Sequence, residues 1–324
     1  MSSFKRAIAQ AAASVGGIDR TDVTERLRRT FSSPAYRPPM LPAVAIQVME
    51  LSHKPDVKFE DVVRLLQTDP VLAARVLSIA GSAAYAARTP ILTLQQAAVR
   101  LGLKALREVV LEAALHLKVF RVPGYEELMA RLAAHSAAVA HVMRSVCRRT
   151  RIESEYAFLC GLLHDVGFAA ALLAFAGDPA MRAVPFAELA PVLGEAHAEA
   201  SGTLARLWKL PAPLQRVVAT HHDVEVDGKP EPVNAALVVA EQLAWEAGSG
   251  LAPPPEGADP MSLTTPEPPL DGLDCNWTGL VDQARKVLGM EDLALGAARA
   301  EAFQVVRALK PAEGGRPARP TRAG

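Results

Sequence analysis

One apolar run constrains this chain more than any other feature. Residues 157–175 read AFLCGLLHDVGFAAALLAF, with His164 and Asp165 side by side in the middle. Gly161 and Gly167 interrupt the run as well, so it fits a buried pair of core helices better than a bilayer crossing. An ionised carboxylate buried without a partner costs several kcal/mol, and removing one member of a buried pair costs about 3–5 kcal/mol. Asp165 therefore requires a counter-charge, a set of donors or a cation.

Around this run the signals are helical. Asp69-Pro70 is a helix start, an N-cap side chain followed by Pro at N1, and Val71, Leu72, Val76, Leu77 and Ile79 recur behind it at helical spacing. Thr93, with Gln96 three positions on, opens another helix with Leu94, Ala97, Ala98 and Leu101 on one face. Gly102 predicts a break before KALREVVLEAALHLKVF resumes the helix. Further helices are expected over 41–52, 59–67, 126–149, 155–163, 187–207, 212–220 and 233–247. No alternating strand pair and no Asn-Gly hairpin is evident, so the expected class is all-α.

Five segments follow from these breaks. Residues 1–37 form an N-terminal helical extension, 38–122 a first helical subdomain, and 123–250 a second one, separated at Pro123-Gly124. Residues 251–277 hold seven prolines and read as an extended linker. Residues 278–324 hold two short helices, over 278–309, and a Pro/Gly/Arg-rich tail. The linker and the C-terminal piece would form a tethered interaction element or an oligomer contact.

Composition narrows the function. Lys+Arg and Asp+Glu both number 35, so the chain lacks the basic excess that a nucleic-acid-coating protein needs. Arg100, Lys104 and Arg107 suggest one small basic stripe, a solvated face. Cys147, Cys160 and Cys275 are too few and too scattered for a disulfide framework or a thiolate zinc site, and free thiols suit a reducing cytoplasm. The opening MSSFKRAIAQAAASVGG is too weakly apolar for a secretory signal. No membrane association is expected.

The histidines carry the remaining information. Six of eight fall between 135 and 222: His135, His141, His164, His197, His221 and His222. A lone His-Asp dipeptide suits a hydrogen-bonded pair that fixes helix packing. Candidates on four helical segments suit a metal site, to which imidazole nitrogen and carboxylate oxygen are common ligands. His141 stands six residues from His135 and so faces another side of its helix, outside that set. Arg206, Lys209 and Arg216, the cations near these motifs, read as surface charges. Cys147 and Cys160 read as core residues.

In order and spacing these segments resemble the HDOD family (HD-related output domain), a relative of the HD-type metal phosphohydrolases. The likeness runs through LPAVAIQVMEL (41–51), LLQTDPVLAARVLSIAGSAAYAARTPILTLQQAAVRLGL (65–103), AHSAAVA (134–140), CGLLHDVG (160–167), HAEASGTLARLWKLP (197–211) and His221-His222. It covers roughly residues 38–247, about two thirds of the chain. It implies an N-terminal helical bundle packed on a degenerate HD-like bundle, in bacterial signalling and regulatory modules most of which have lost catalysis. Position by position it implies the metal ligands His135, His164, Asp165, His197, His221 and His222. Glu241 stands where HD hydrolases carry a final Asp after Ala.

The departures bear on catalysis. Phe168 follows HDVG where HD-GYP phosphodiesterases place Lys, and no GYP-like motif follows Asp223. Gly81 replaces a frequent Asn, and Leu132 a frequent Trp. The missing Lys and GYP remove groups that hold and polarise a phosphodiester, which hydrolysis needs besides a cation that acidifies water. The expected protein is a cytoplasmic signal-transduction module that binds a signalling protein partner, with a degenerate site open to Fe, Mn or Zn. The alternative is an active metal-dependent phosphohydrolase on nucleotides or cyclic dinucleotides. A nucleic-acid partner is not expected, and a homo-oligomer is compatible with the sequence.

Overall fold

The computed structural model describes residues 20–51, 54, 56–85, 90–152, 156–178, 181, 184, 186–251 and 277–309. His53, Arg88, Cys275, the interior of the Pro-rich linker and the C-terminal tail lie outside these residues.

The described chain is all-α, with one two-residue ribbon. Helix α1 is Arg20–Ser32, and α2 (Ala43–Leu51), α3 (Phe59–Gln67), α4 (Pro70–Ala80) and α5 (Leu94–Lys118) form the first bundle. The second contains α6 (Glu126–Thr150), α7 (Ala157–Leu163), α8 (Val166–Ala176), α9 (Phe186–Leu207), α10 (Ala212–Ala219) and α11 (Pro232–Glu246). Two C-terminal helices follow, α12 (Trp277–Leu288) and α13 (Asp292–Leu309).

Local chemistry sets the helix boundaries as expected. The Asp69 carboxylate accepts from the Leu72 N–H at 3.0 Å, a cap contributing about 1 kcal/mol. Thr93 Oγ1 accepts from the Gln96 N–H at 3.1 Å, while the Gln96 side chain reaches back to the Leu92 N–H at 2.8 Å. Gly102 breaks α5 with φ +74° and ψ 166°, a conformation that a side chain at this position would strain.

That break corrects one sequence expectation. Arg100, Lys104 and Arg107 do not form a stripe, because Gly102 resets the helical phase between them. Arg100 and Lys104 are exposed, whereas Arg107 is buried. A second correction is the antiparallel ribbon Glu225–Val226 against Lys229–Pro230. Its turn is Asp227-Gly228, both at positive φ (52° and 73°), the pair that a tight hairpin turn requires.

Helix α6 is the axis of the second bundle, packed by α7, α11 and α13. The apolar run folds as α7 and α8, bent at His164-Asp165. Residues 157–176 have the length and composition of a membrane span, but 94% of that window is buried inside the protein. Helix α1 packs on α8 and α9, and the strand of coil after it is pinned there too. Tyr36 donates to the Ala170 carbonyl (3.3 Å), and Trp208 Nε1 donates to the Pro39 carbonyl (3.0 Å).

The C-terminal pair departs from the tethered piece that the Pro-rich composition suggested. Helices α12 and α13 dock on α11 and α6, burying Trp277, Ala284, Met290, Ala298, Ala302 and Val306. Glu301 accepts from Ser145 Oγ (2.7 Å), Arg148 (2.6 Å) and Arg149 (2.8 Å) on α6.

Candidate metal centre

Five helical segments converge at one point inside the second bundle. Helix α6 brings His135, the bend between α7 and α8 brings His164 and Asp165, and α9 brings His197. The turn after α10 brings His221 and His222, and α11 brings Glu241. All seven residues singled out from the sequence meet here.

Asp165 stands at the centre. Its Oδ2 lies 3.2 Å from His164 Nε2 and 3.7 Å from His135 Nε2; its Oδ1 lies 3.4 Å from His197 Nε2 and 3.7 Å from His221 Nε2. Glu241 makes a second bridge, with Oε1 3.5 Å from His164 Nε2 and Oε2 3.7 Å from His222 Nε2. Within two groups, His135/His164/Asp165/Glu241 and His197/His221/His222, the ligand atoms all lie within 4.8 Å of one another.

Backbone carbonyls set the imidazole tautomers. His135 Nδ1 faces the Ser249 carbonyl (2.6 Å), His164 Nδ1 that of Gly161 (2.8 Å), His197 Nδ1 that of Gly194 (2.6 Å), and His221 Nδ1 that of Val218 (2.9 Å). A carbonyl only accepts, so each Nδ1 carries a hydrogen and each Nε2 turns inward. The Nε2 atoms of His197 and His221 are 3.1 Å apart. No hydrogen bond satisfies His164 Nε2 or Glu241 Oε2, although both are buried.

Charge leads to the same conclusion. Burial drives the pKa of His135, His197 and His221 down, His197 to about 4, with neighbouring imidazoles adding to the effect. Burial opposes a charge on His164 too, but Asp165 and Glu241 beside it hold its pKa well above the usual histidine range. Burial would raise both carboxyls. His164 and His197 around Asp165, and His164 and His222 around Glu241, more than offset it and hold both below the carboxylate range. Two buried carboxylates held in the charged form and the inward Nε2 atoms of the imidazoles thus converge on one point. That is the environment a divalent cation fits.

The local sequence builds this geometry. Gly167 lets α8 abut α9: its N–H donates to Ser201 Oγ (2.8 Å), and that hydroxyl donates to the His164 carbonyl (2.6 Å). A Cβ on Gly167 would overlap the His197 carbonyl oxygen and stand 2.7 Å from the Ser201 nitrogen. Asn234 holds the His221-His222 turn, donating to the carbonyls of Thr220 (2.6 Å) and Asp223 (2.9 Å). Ser201 was accessible to sequence reasoning, since it lies one turn after His197; Asn234, Ser249 and Trp277 carried no such signal. Trp277 is the most consequential omission. Its ring stands edge-on to His222, with centroids 5.9 Å apart, and its Nε1 donates to Gln242 Oε1 at 2.6 Å.

The remaining candidates lie elsewhere. His141 is buried between Tyr85 and Phe158, and His116 is half-buried. Arg206, Lys209, Arg216 and Asp223 are exposed. Phe168 stacks on His197, with centroids 4.5 Å apart and planes 17° apart.

Comparison with known proteins gives the family and the fold. The chain is 25% identical over 196 residues to an uncharacterized protein of Treponema pallidum (strain Nichols), a match covering 57% of this chain and only 38% of that protein's length. In fold it is similar to an HDOD domain protein of unknown function from Geobacter sulfurreducens (TM-score 0.62, 24% identity, 90% of this chain and 98% of that one). It is also similar to a Shewanella amazonensis SB2B protein provisionally named a metal-dependent phosphohydrolase (TM-score 0.66, 18% identity, 89% and 98%). A third fold match is a protein from Marinobacter aquaeolei VT8 provisionally named for signal transduction (TM-score 0.52, 21% identity, 89% and 67%). The profile of the HDOD domain matches residues 39–224, which hold every ligand candidate but Glu241; on that match the chain belongs to the HDOD family.

Proposed function

We propose that this chain is a cytoplasmic signal-transduction module that acts by binding a partner protein and carries a divalent-metal centre, of Fe, Mn or Zn, that does not hydrolyse phosphodiesters. The observation that supports this most is the surroundings of Asp165 and Glu241. Among the described residues, every ion pair of these carboxylates is with histidine. Phosphoryl transfer needs Arg or Lys clamps on the transferred group. At position 168 the side chain is instead Phe, stacked on His197. Buried, unbonded Cys147 and Cys160 fit a reducing compartment.

When bound, the ion would offer Lewis acidity. His135, His164, His197, His221 and His222 would hold it through Nε2, with Asp165 and Glu241 bridging between the two groups. The chain's own residues orient these ligands and exclude solvent from them.

Metal analysis of purified protein tests the centre: near-stoichiometric metal is expected, lost in a His164→Ala, Asp165→Ala variant. Turnover of a phosphodiester panel by the loaded protein would overturn the non-hydrolytic reading and favour the phosphohydrolase. Crosslinking with co-purification then identifies the partner.

A further inference from the structure

The seven ligand-type side chains are unequally shielded. Those of His135, His164, Asp165, His197, His221 and Glu241 expose 0–4% of their surface, and that of His222 exposes 14%. Solvent therefore approaches the cluster past His222, and Trp277, the first residue of α12, stands against that imidazole at 89°.

Trp277 is part of a chain of contacts that fastens the C-terminal pair to the ligand-bearing helices. It donates to Gln242, the neighbour of Glu241 on α11; Gln242 Nε2 donates to Glu246 Oε1 at 2.8 Å; and Glu246 accepts from Arg299 of α13 at 2.6 Å. Glu301 of α13 fastens the other side to α6, the helix of His135. Both ends of the Pro-rich segment also meet the centre, through the Ser249 carbonyl on His135 just before it and Trp277 just after it.

The rim is the weak part of this attachment: the buried apolar side chains of α12 and α13 are Trp277, Ala284, Ala298, Ala302 and Val306, three of the five alanines, with Leu280, Val281, Leu295 and Phe303 packed half-buried beside them. The polar fasteners at that rim include ion pairs with partly exposed side chains, such as Arg148–Glu301 (63% and 30%) and Arg299–Glu246 (46% and 12%). Exposed pairs of this kind contribute little and weaken with salt. Interfaces of this kind separate more readily than a helix core.

We propose that the C-terminal helix pair is a removable cover over the metal centre, with Trp277 closing its His222 side against ions and small solutes. The proposal builds on the metal reading above, but the cover itself can be tested without metal.

The experiment uses the full chain, wild type against Trp277→Ala and Glu301→Gln, the latter remote from the cluster and retaining the fold if Trp277→Ala does not. In metal-free protein, diethyl pyrocarbonate modification of His222 is followed by peptide mass spectrometry. In Mn2+-loaded protein, release of the ion to EDTA is followed by the electron paramagnetic resonance of free Mn2+. Undocking is expected to raise both rates at least tenfold while His197 and His221 stay protected, and 1 M NaCl is expected to raise both in the wild type. Equal His222 modification in wild type and a folded variant would overturn the cover. Failure to retain Mn2+ alone would overturn the metal reading and leave the cover to be judged by His222.

Discussion

The Nε2 atoms of His197 and His221 lie 3.1 Å apart with no hydrogen between them, because each ring spends its N–H on a carbonyl through Nδ1. Two inward lone pairs at that distance repel unless a cation lies between or beside them. Divalent metal is therefore expected to stabilise the fold, since a ligand bound only by the native state adds about 2.7 kcal/mol at a hundredfold excess over its dissociation constant. Calorimetry with Mn2+ or Zn2+ against EDTA should show a higher Tm with metal, and no metal-dependent shift in His221→Ala.

Gly167→Ala tests how closely α8 and α9 must approach. The added Cβ would overlap the His197 carbonyl and come within 2.8 Å of the Ser201 hydroxyl, in a segment with no room to yield. A loss of about 3 kcal/mol or more is expected in denaturant unfolding. Gly296→Ala in α13 is the control, because its Cβ meets nothing within 4 Å, and it should be neutral or stabilising by up to about 1 kcal/mol.

The clustering was legible in part because an apolar run makes two polar residues conspicuous: His164-Asp165 had to be satisfied, and the other imidazoles were the available partners, whereas Glu241 came from the family resemblance alone. Asp69-Pro70, Thr93 and Gly102 mark the helix boundaries because each acts on its own backbone. What depends on distant packing was not legible. The docking face of α13 is Ala298, Ala302 and Val306, an i, i+4, i+8 row of mostly small side chains that periodicity barely registers. The ribbon at Asp227-Gly228 has two-residue strands, too short for alternation to show. Arg107 joins a surface stripe only if α5 is one unbroken helix, and Gly102 breaks it.

Histidines that folding withdraws from water outside the cluster predict acid lability. Burial lowers the pKa of His141 to about 4, and burial together with Arg75 does the same for His116. In the unfolded chain each titrates near 6.5, so the unfolded state binds more protons between these values. Stability is then fully present above pH 6.5 and lost as pH falls toward 4, by about 3 kcal/mol for the buried His141 and by less for the half-buried His116. In His141→Gln the loss between pH 7 and pH 4.5, read from urea unfolding, should shrink by about 2 kcal/mol.

Glu112 works in the opposite direction. Burial raises its carboxyl to about 7, against the smaller opposing effects of the Tyr85 hydroxyl, which donates to it at 3.0 Å, and of Arg75. The unfolded carboxyl ionises near 4.5 while the folded one retains its proton, so folding loses stability as pH rises from about 4.5 to 7, by about 3 kcal/mol in all. Glu112→Gln keeps an acceptor for Tyr85 and removes the ionisation. Unfolding should show this variant level with wild type near pH 4.5 and more stable by about 1–3 kcal/mol at pH 8. Equal stability at pH 8 would mean that Arg75 compensates a Glu112 carboxylate that is already charged.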